Sequence, residues 1–155
     1  MNSVYELFES ARDAVRENAS IRRRIERMAS SEGMRSGSGG AVRAGFIADR
    51  MARTDARIDY EAAVEQREAD NWLLVDYATA VLYGTDQGAG LAAAFGIEYA
   101  DAIWWRYLAD CKWADVADAI GCSVRTAQTR VQVGVDFIDS NGVDETLRGE
   151  NGVTE

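Results

Sequence analysis

Hydrophobic positions at the start of the chain recur at alternating steps of three and four: Val4, Leu7, Ala11, Ala14, then Ile21, Ile25 and Met28. This is the a and d rhythm of a coiled-coil seam, and Asn18 fills the one a position that is not apolar. Ser3 followed by Glu6 has capping-box spacing, so a helix is predicted from about Ser3 to Met28. A buried Asn at an a position lowers stability but fixes register and strand number. The pattern fits pairing within the chain, pairing between chains, or a single amphipathic helix packed on its own chain. Ser30 to Gly40 is rich in Gly and Ser and reads as a flexible linker long enough for the chain to reverse. Nothing breaks a helix from Val42 to Tyr83, and a continuous one would be about 60 Å long. Ile47, Met51, Ile58 and Val64 give its earlier half a thin apolar stripe, expected to pair with the first helix as a hairpin. Its end, Trp72 to Tyr83, is apolar nearly all round and is expected to be buried on several sides against the C-terminal part. Gly84 to Gly90 reads as a turn, and Leu91 to Phe95 as a short helix closed by Gly96.

Tyr99, Ile103, Trp104, Tyr107 and Leu108 again repeat at three and four, which makes one helical face. After a short loop at Asp110 and Cys111, a second helix is predicted from about Trp113 to Ile120, with Val116, Ala117 and Ile120 inward. Ala117 suits a close helix crossing, which needs a small residue at the contact. Gly121 ends this helix, in the left-handed conformation that glycine adopts cheaply. Ser123 then caps a third helix running to about Ile138. Two helices joined by a short glycine-containing turn form the DNA-reading unit whose second helix enters the major groove. The expected architecture is all-α: a long helical hairpin or coiled-coil N-terminal part followed by a C-terminal helix-turn-helix bundle. Its divisions are a heptad helix (1–29), a linker (30–41), a long helix (42–83), a loop with a short helix (84–98), the helix-turn-helix module (99–138) and an acidic tail (139–155) expected to be mostly disordered.

Composition supports the helical reading and removes several chemistries. The 155 residues are 47% hydrophobic and 28% charged, enough apolar content for a core, and there is no proline. The absence of histidine removes the commonest general base and the commonest metal ligand. Cys111 and Cys122 alone cannot complete a structural zinc site. No phosphate-binding Gly-rich loop and no nucleophile elbow is present. The chain is therefore expected not to be an enzyme and to need no cofactor. No apolar run approaches a membrane span, and the N-terminus lacks signal-peptide features. A cytoplasmic location, with both cysteines reduced and acting as small buried apolar residues, is the expectation. Trp104, Trp105 and Trp113 are expected in the core; the first two are adjacent and cannot share one face.

The net charge of −9 is unusual for a DNA-binding protein. By region it is +2 over residues 1–60, −6 over 61–98, −1 over 99–138 and −4 after that. Acid therefore concentrates in the middle and the tail rather than in the helix-turn-helix.

Arg106-Tyr107-Leu108, Lys112 to Ser123, Arg125-Thr126 and Val135 to Ile138 resemble the sigma-70 region-4-like module. More closely they look like its version in small bacteriophage and prophage proteins of the late-gene transcriptional activator type, which also place a long helical region before it. The resemblance covers roughly a quarter of the chain. Family members usually have Gly-Leu-Thr where this chain has Asp110-Cys111-Lys112, a larger aliphatic residue at Ala127 and an alanine at Gly134. These departures, with a less basic third helix, bear on DNA affinity more than on fold.

With Ala127, Val131 and Val135 inward, the outward residues are Val124, Arg125, Gln128, Thr129 and Gln132. Arg125 suits a bidentate contact to guanine and Gln128 one to adenine. Arg130 and Lys112 are better placed for phosphate, and Ser123 is a cap first and a phosphate contact second. The plain alternative is an ordinary solvated face. The leading expectation is a phage- or prophage-type DNA-binding transcriptional regulator, whose partners are double-stranded DNA, RNA polymerase or another host complex, and a second copy through the N-terminal helices. One alternative is an acidic protein-interaction module inhibiting a host nucleic-acid-binding complex. Another is a DNA-packaging subunit.

Overall fold

The computed structural model describes residues 3–32, 43–85 and 89–152; the expected linker lies outside them except for residues 30–32, which are helical, and of the Gly84–Gly90 turn residues 86–88 lie outside. All described elements are helical and none is a strand. The helices are α1 (Val4–Glu32), α2 (Arg43–Tyr83), α3 (Gly90–Ala94), α4 (Ile97–Ile103), α5 (Trp113–Ile120), α6 (Val124–Asn141) and α7 (Val143–Leu147), and α4 continues into a π-helical turn at Trp104–Leu108. None of the described helices is long and apolar enough to cross a membrane. The chain divides into two compact units, one of residues 1–16 and 71–155, the other of Glu17–Asp70.

In the first unit, the heptad face of α1 (Val4, Leu7, Phe8, Ala11 and Ala14) joins Val75, Ala78, Val81 and Leu82 of α2 in one buried core. Leu91, Ile103, Leu108, Val131, Val135 and Ile138 complete it from the C-terminal helices. The helix start is held as the capping box implies, with Ser3 Oγ accepting the Glu6 N–H at 3.2 Å. The expectation that the end of α2 is buried on several sides holds on one side only. Val75, Ala78, Val81 and Leu82 take the core side, while Trp72, Leu73 and Tyr77 remain 51%, 68% and 43% exposed. At one point α6 passes close to α4, because a Cβ at Gly134 would lie 3.0 Å from Ile103 Cδ1 and 3.2 Å from Tyr99 Cβ. The glycine, where the resemblance would place an alanine, is thus what permits the approach.

In the second unit α1 and α2 form a hairpin, but not through the predicted face. Asn18 is buried and its amide donates to the Glu68 carbonyl at 3.3 Å, so this a-position asparagine is used within the chain. Ile47, Met51 and Ile58 lie outside, each more than half exposed. Charge pairs link the helices instead. Arg22 meets Glu68 at 3.2 Å, Arg57 meets Glu32 at 2.5 Å, and Arg67 pairs with Glu17. Arg24 lies over the Tyr60 ring at 4.7 Å. Of the predicted stripe only Val64 is half-buried, and charge pairs take the place of the rest.

The tail also departs from expectation. Residues 143–147 form α7, and Thr146 is fully buried, its hydroxyl donating to the Gly142 carbonyl at 2.7 Å. Asn141 donates to Thr146 Oγ1 and to the Glu150 carbonyl at 3.1 and 2.7 Å, and accepts the Gly152 N–H at 2.9 Å. Asn151 reaches the Ala94 carbonyl at 3.2 Å. A polar composition predicted disorder; side-chain hydrogen bonds to backbone order it instead.

Candidate nucleic-acid interface

The pair α5–α6 is built as its local signals dictate. Gly121 ends α5 at φ 70°, ψ 39°, in the left-handed region, and the Cys122 N–H closes back on the Ala117 carbonyl at 3.0 Å. That six-to-one bond is the Schellman ending. Ser123 caps α6, its hydroxyl oxygen accepting the Thr126 N–H at 3.1 Å. Where the two helices meet, Val116, Ala117 and Ala127 form a small separate core, with Trp105, Trp113, Ile120, Cys111 and Cys122 packed around it. The small side chains at 117 and 127 are what let the axes cross closely. Lys112 is the N-cap residue of α5 and makes no side-chain cap bond, as expected where the resemblance would place threonine.

In the loop before α5 an aspartate stands at position 110, where the resemblance would place a glycine. Asp110 takes φ 53°, the left-handed conformation that Asp tolerates better than most side chains. Its carboxylate is gripped by Arg16 of α1, at 2.9 Å to Nε and 2.8 Å to Nη2. Arg106 stacks over Trp113 at 4.4 Å and donates to the Cys111 carbonyl at 3.0 Å, closing the same loop. Neither arginine stood out in the sequence as a loop anchor, and nothing local signals Arg16, which lies 94 positions from its partner. The adjacent tryptophans are accommodated by the π-helical turn, where the Ala109 N–H reaches back to the Trp104 carbonyl at 2.9 Å. Trp104 packs on the main core, Trp105 on the small one, and the rings meet edge to face at 5.0 Å.

On this scaffold Ala127, Val131 and Val135 are buried, and Val124, Arg125, Gln128 and Thr129 are exposed together on the first two turns of α6. Ser123 and Lys112 are also exposed, and Arg130 is half-buried. The Thr129 hydroxyl donates to the Arg125 carbonyl at 2.9 Å. Gln132 is exposed but committed. Tyr5 donates to its Oε1 at 2.6 Å, and its amide nitrogen donates to both Asp136 oxygens at 3.0 and 3.1 Å. Burial first, then the neighbouring Tyr107, Asp136 and Asp139, hold the Tyr5 phenol above its ordinary value. The predicted set thus splits: Arg125, Gln128 and Val124 present free surface, while Gln132 links α6 to α1. Among the described residues no group of three or more His, Cys, Asp or Glu is arranged to hold a metal ion.

Comparison with protein-family models, with curated proteins and with solved structures returned no match to this chain.

Proposed function

We propose that this protein is a sequence-reading DNA-binding transcriptional regulator of the phage or prophage type, acting in the bacterial cytoplasm without a cofactor. The observation that carries the reading is the α5–turn–α6 unit, with Arg125, Gln128 and Val124 exposed at the start of α6 above a buried Ala127, Val131 and Val135. In this reading α6 lies in the major groove. Arg125 pairs with guanine O6 and N7, Gln128 with adenine N6 and N7, and the Val124 and Thr129 methyl groups meet thymine methyls. Lys112, Arg130 and Ser123 position the module on phosphate. The test is fluorescence anisotropy on fragments from the protein's own genomic neighbourhood against scrambled duplex. A bidentate pair is worth about 1–3 kcal/mol of discrimination, so Arg125→Ala with Gln128→Ala is expected to remove at least about tenfold of the preference. An unchanged preference in that variant refutes the residue assignment.

The net charge of −9 and the exposed Asp115 and Asp118 on α5 favour a second reading, in which the same fold docks on RNA polymerase or another host nucleic-acid-binding complex. No duplex binding even at low salt, together with co-purification of such a complex, would select it.

A further inference from the structure

The chain's positive charge is not where the helix-turn-helix is. Between Arg22 and Arg57 there are nine arginines against four acids, while the rest of the chain holds eight basic residues against 22 acids. This stretch belongs to the hairpin unit. Along one face of α1, Ser20, Arg23, Arg24, Arg27 and Met28 line an open cleft of about 450 Å³, and no carboxylate lines it. Several acids of the hairpin are consumed elsewhere: Glu68 by Arg22, Glu32 and Glu61 by Arg57, and Glu17 by Arg67. Arg24 lies over the Tyr60 ring at 4.7 Å and is itself exposed. Among the described residues Arg23 and Arg27 are exposed and carry no ion pair. They stand one turn apart, about 5–6 Å between Cβ atoms.

We propose that this arginine face of α1 is a second nucleic-acid contact, binding the sugar-phosphate backbone of duplex DNA without reading sequence. The choice of DNA over other anions rests on the regulator reading above, and on three features. The cationic groups here are all arginine, whose planar fork matches phosphate oxygens in pairs. The cleft offers one apolar side chain, Met28, too little for an interfacial membrane helix, which needs a broad apolar face. And the helix-turn-helix, at −1 over residues 99–138, has little phosphate attraction of its own, so the electrostatic share of binding has to come from elsewhere in the chain.

The test is the salt dependence of duplex binding by the full chain, in the wild type, in Arg23→Gln/Arg27→Gln and in Arg125→Ala/Gln128→Ala. Each lost phosphate contact lowers the slope of log affinity against log salt by about 0.9, so the arginine variant should flatten it by about 2. Over a rise from about 50 to about 200 mM salt, the wild type should then lose roughly tenfold more affinity than the arginine variant. That variant should weaken target and scrambled duplex equally, with unchanged helical content and melting temperature. The Arg125/Gln128 variant should keep the slope and lose the preference. An unaltered slope in the arginine variant overturns this inference and leaves the regulator reading intact. A flattened slope in a protein with no preferred fragment overturns the regulator reading and upholds this one. Binding to phosphatidylserine vesicles or to an acidic protein, with no duplex binding at low salt, overturns both.

Discussion

Replacing Gly121 by alanine isolates the backbone contribution to the turn between α5 and α6. The residue sits at φ 70°, and a Cβ there would meet nothing within 4 Å, so no steric contact with the rest of the protein enters. The left-handed conformation costs an L-residue about 1–2 kcal/mol. Alanine narrows the unfolded ensemble and returns about 0.4–1 kcal/mol of that. The net expectation is a loss of about 1 kcal/mol, or roughly 2–4 °C in melting temperature for a chain of this size. Asparagine, which tolerates this conformation through its short polar side chain, should lose clearly less. Thermal and urea melts followed by circular dichroism give both values, and the urea slope should not change, because the surface exposed on unfolding is the same. An alanine variant as stable as the wild type, or an asparagine variant as damaged as alanine, refutes the reasoning.

Gly134→Ala reverses the cause: the gain in helix propensity of about 1 kcal/mol is opposed by crowding against Ile103 Cδ1, for a net loss of about 1 kcal/mol. Ile103→Val removes that methyl, so a double-mutant cycle should show a favourable coupling of at least about 0.5 kcal/mol; simple additivity would contradict the close approach. The Tyr83 phenol is raised above its ordinary value of 10.0, first by burial and then by its hydrogen bond to the negatively charged Asp101. A raised folded value means stability that is whole below pH 10 and drains as pH climbs beyond it, so Tyr83→Phe should shallow the alkaline fall in melting temperature; an unchanged fall would refute this. Glu32 is held below its ordinary 4.5 by Arg57, so its contribution is present above that pH and lost below it, and the protection of hairpin amides, measured against the intrinsic exchange rate at each pH, should fall on acidification in the wild type but not in Glu32→Gln. Gln132→Ala should disturb the contact with Tyr5 and leave DNA preference unchanged, in contrast to Gln128→Ala.

The helix-turn-helix was legible because its determinants are local. A glycine, a serine two positions later and a hydrophobic step of three and four fix α5, the turn and α6 whatever surrounds them. The first half of α1 was legible for the same reason, since its heptads bury the residues they name. What the sequence concealed is long-range. Nothing near Asn18 announces that its amide will find the Glu68 carbonyl, and nothing near Asp110 points to Arg16. The face of α2 was misread because periodicity counts apolar residues and not the charge pairs that compete with them, as Arg57 with Glu32 does at the expense of Ile47, Met51 and Ile58. The tail was misread because polarity was taken for disorder, although a single asparagine can substitute for several backbone partners. At the candidate interface, the outward residues of α6 followed from its inward ones, but the capture of Gln132 by Tyr5 depended on a contact 127 residues away.

That asparagine has a further consequence, for the chemical ageing of the protein. Asn141 precedes Gly142, the pairing most prone to deamidation, in which the following nitrogen attacks the side-chain amide carbon to form a succinimide. Here the Gly142 N–H is bonded to the Ile138 carbonyl at 2.8 Å, and the Asn141 amide is held at both ends. Neither the nucleophile nor its target is at liberty while the C-terminal segment stays closed. Once converted to aspartate or isoaspartate, the side chain has lost both N–H donors, and Thr146 and Glu150 lose their tie. Each molecule that opens long enough to react is therefore marked permanently, and the deamidated fraction of an aged sample records how often this end of the protein has come undone.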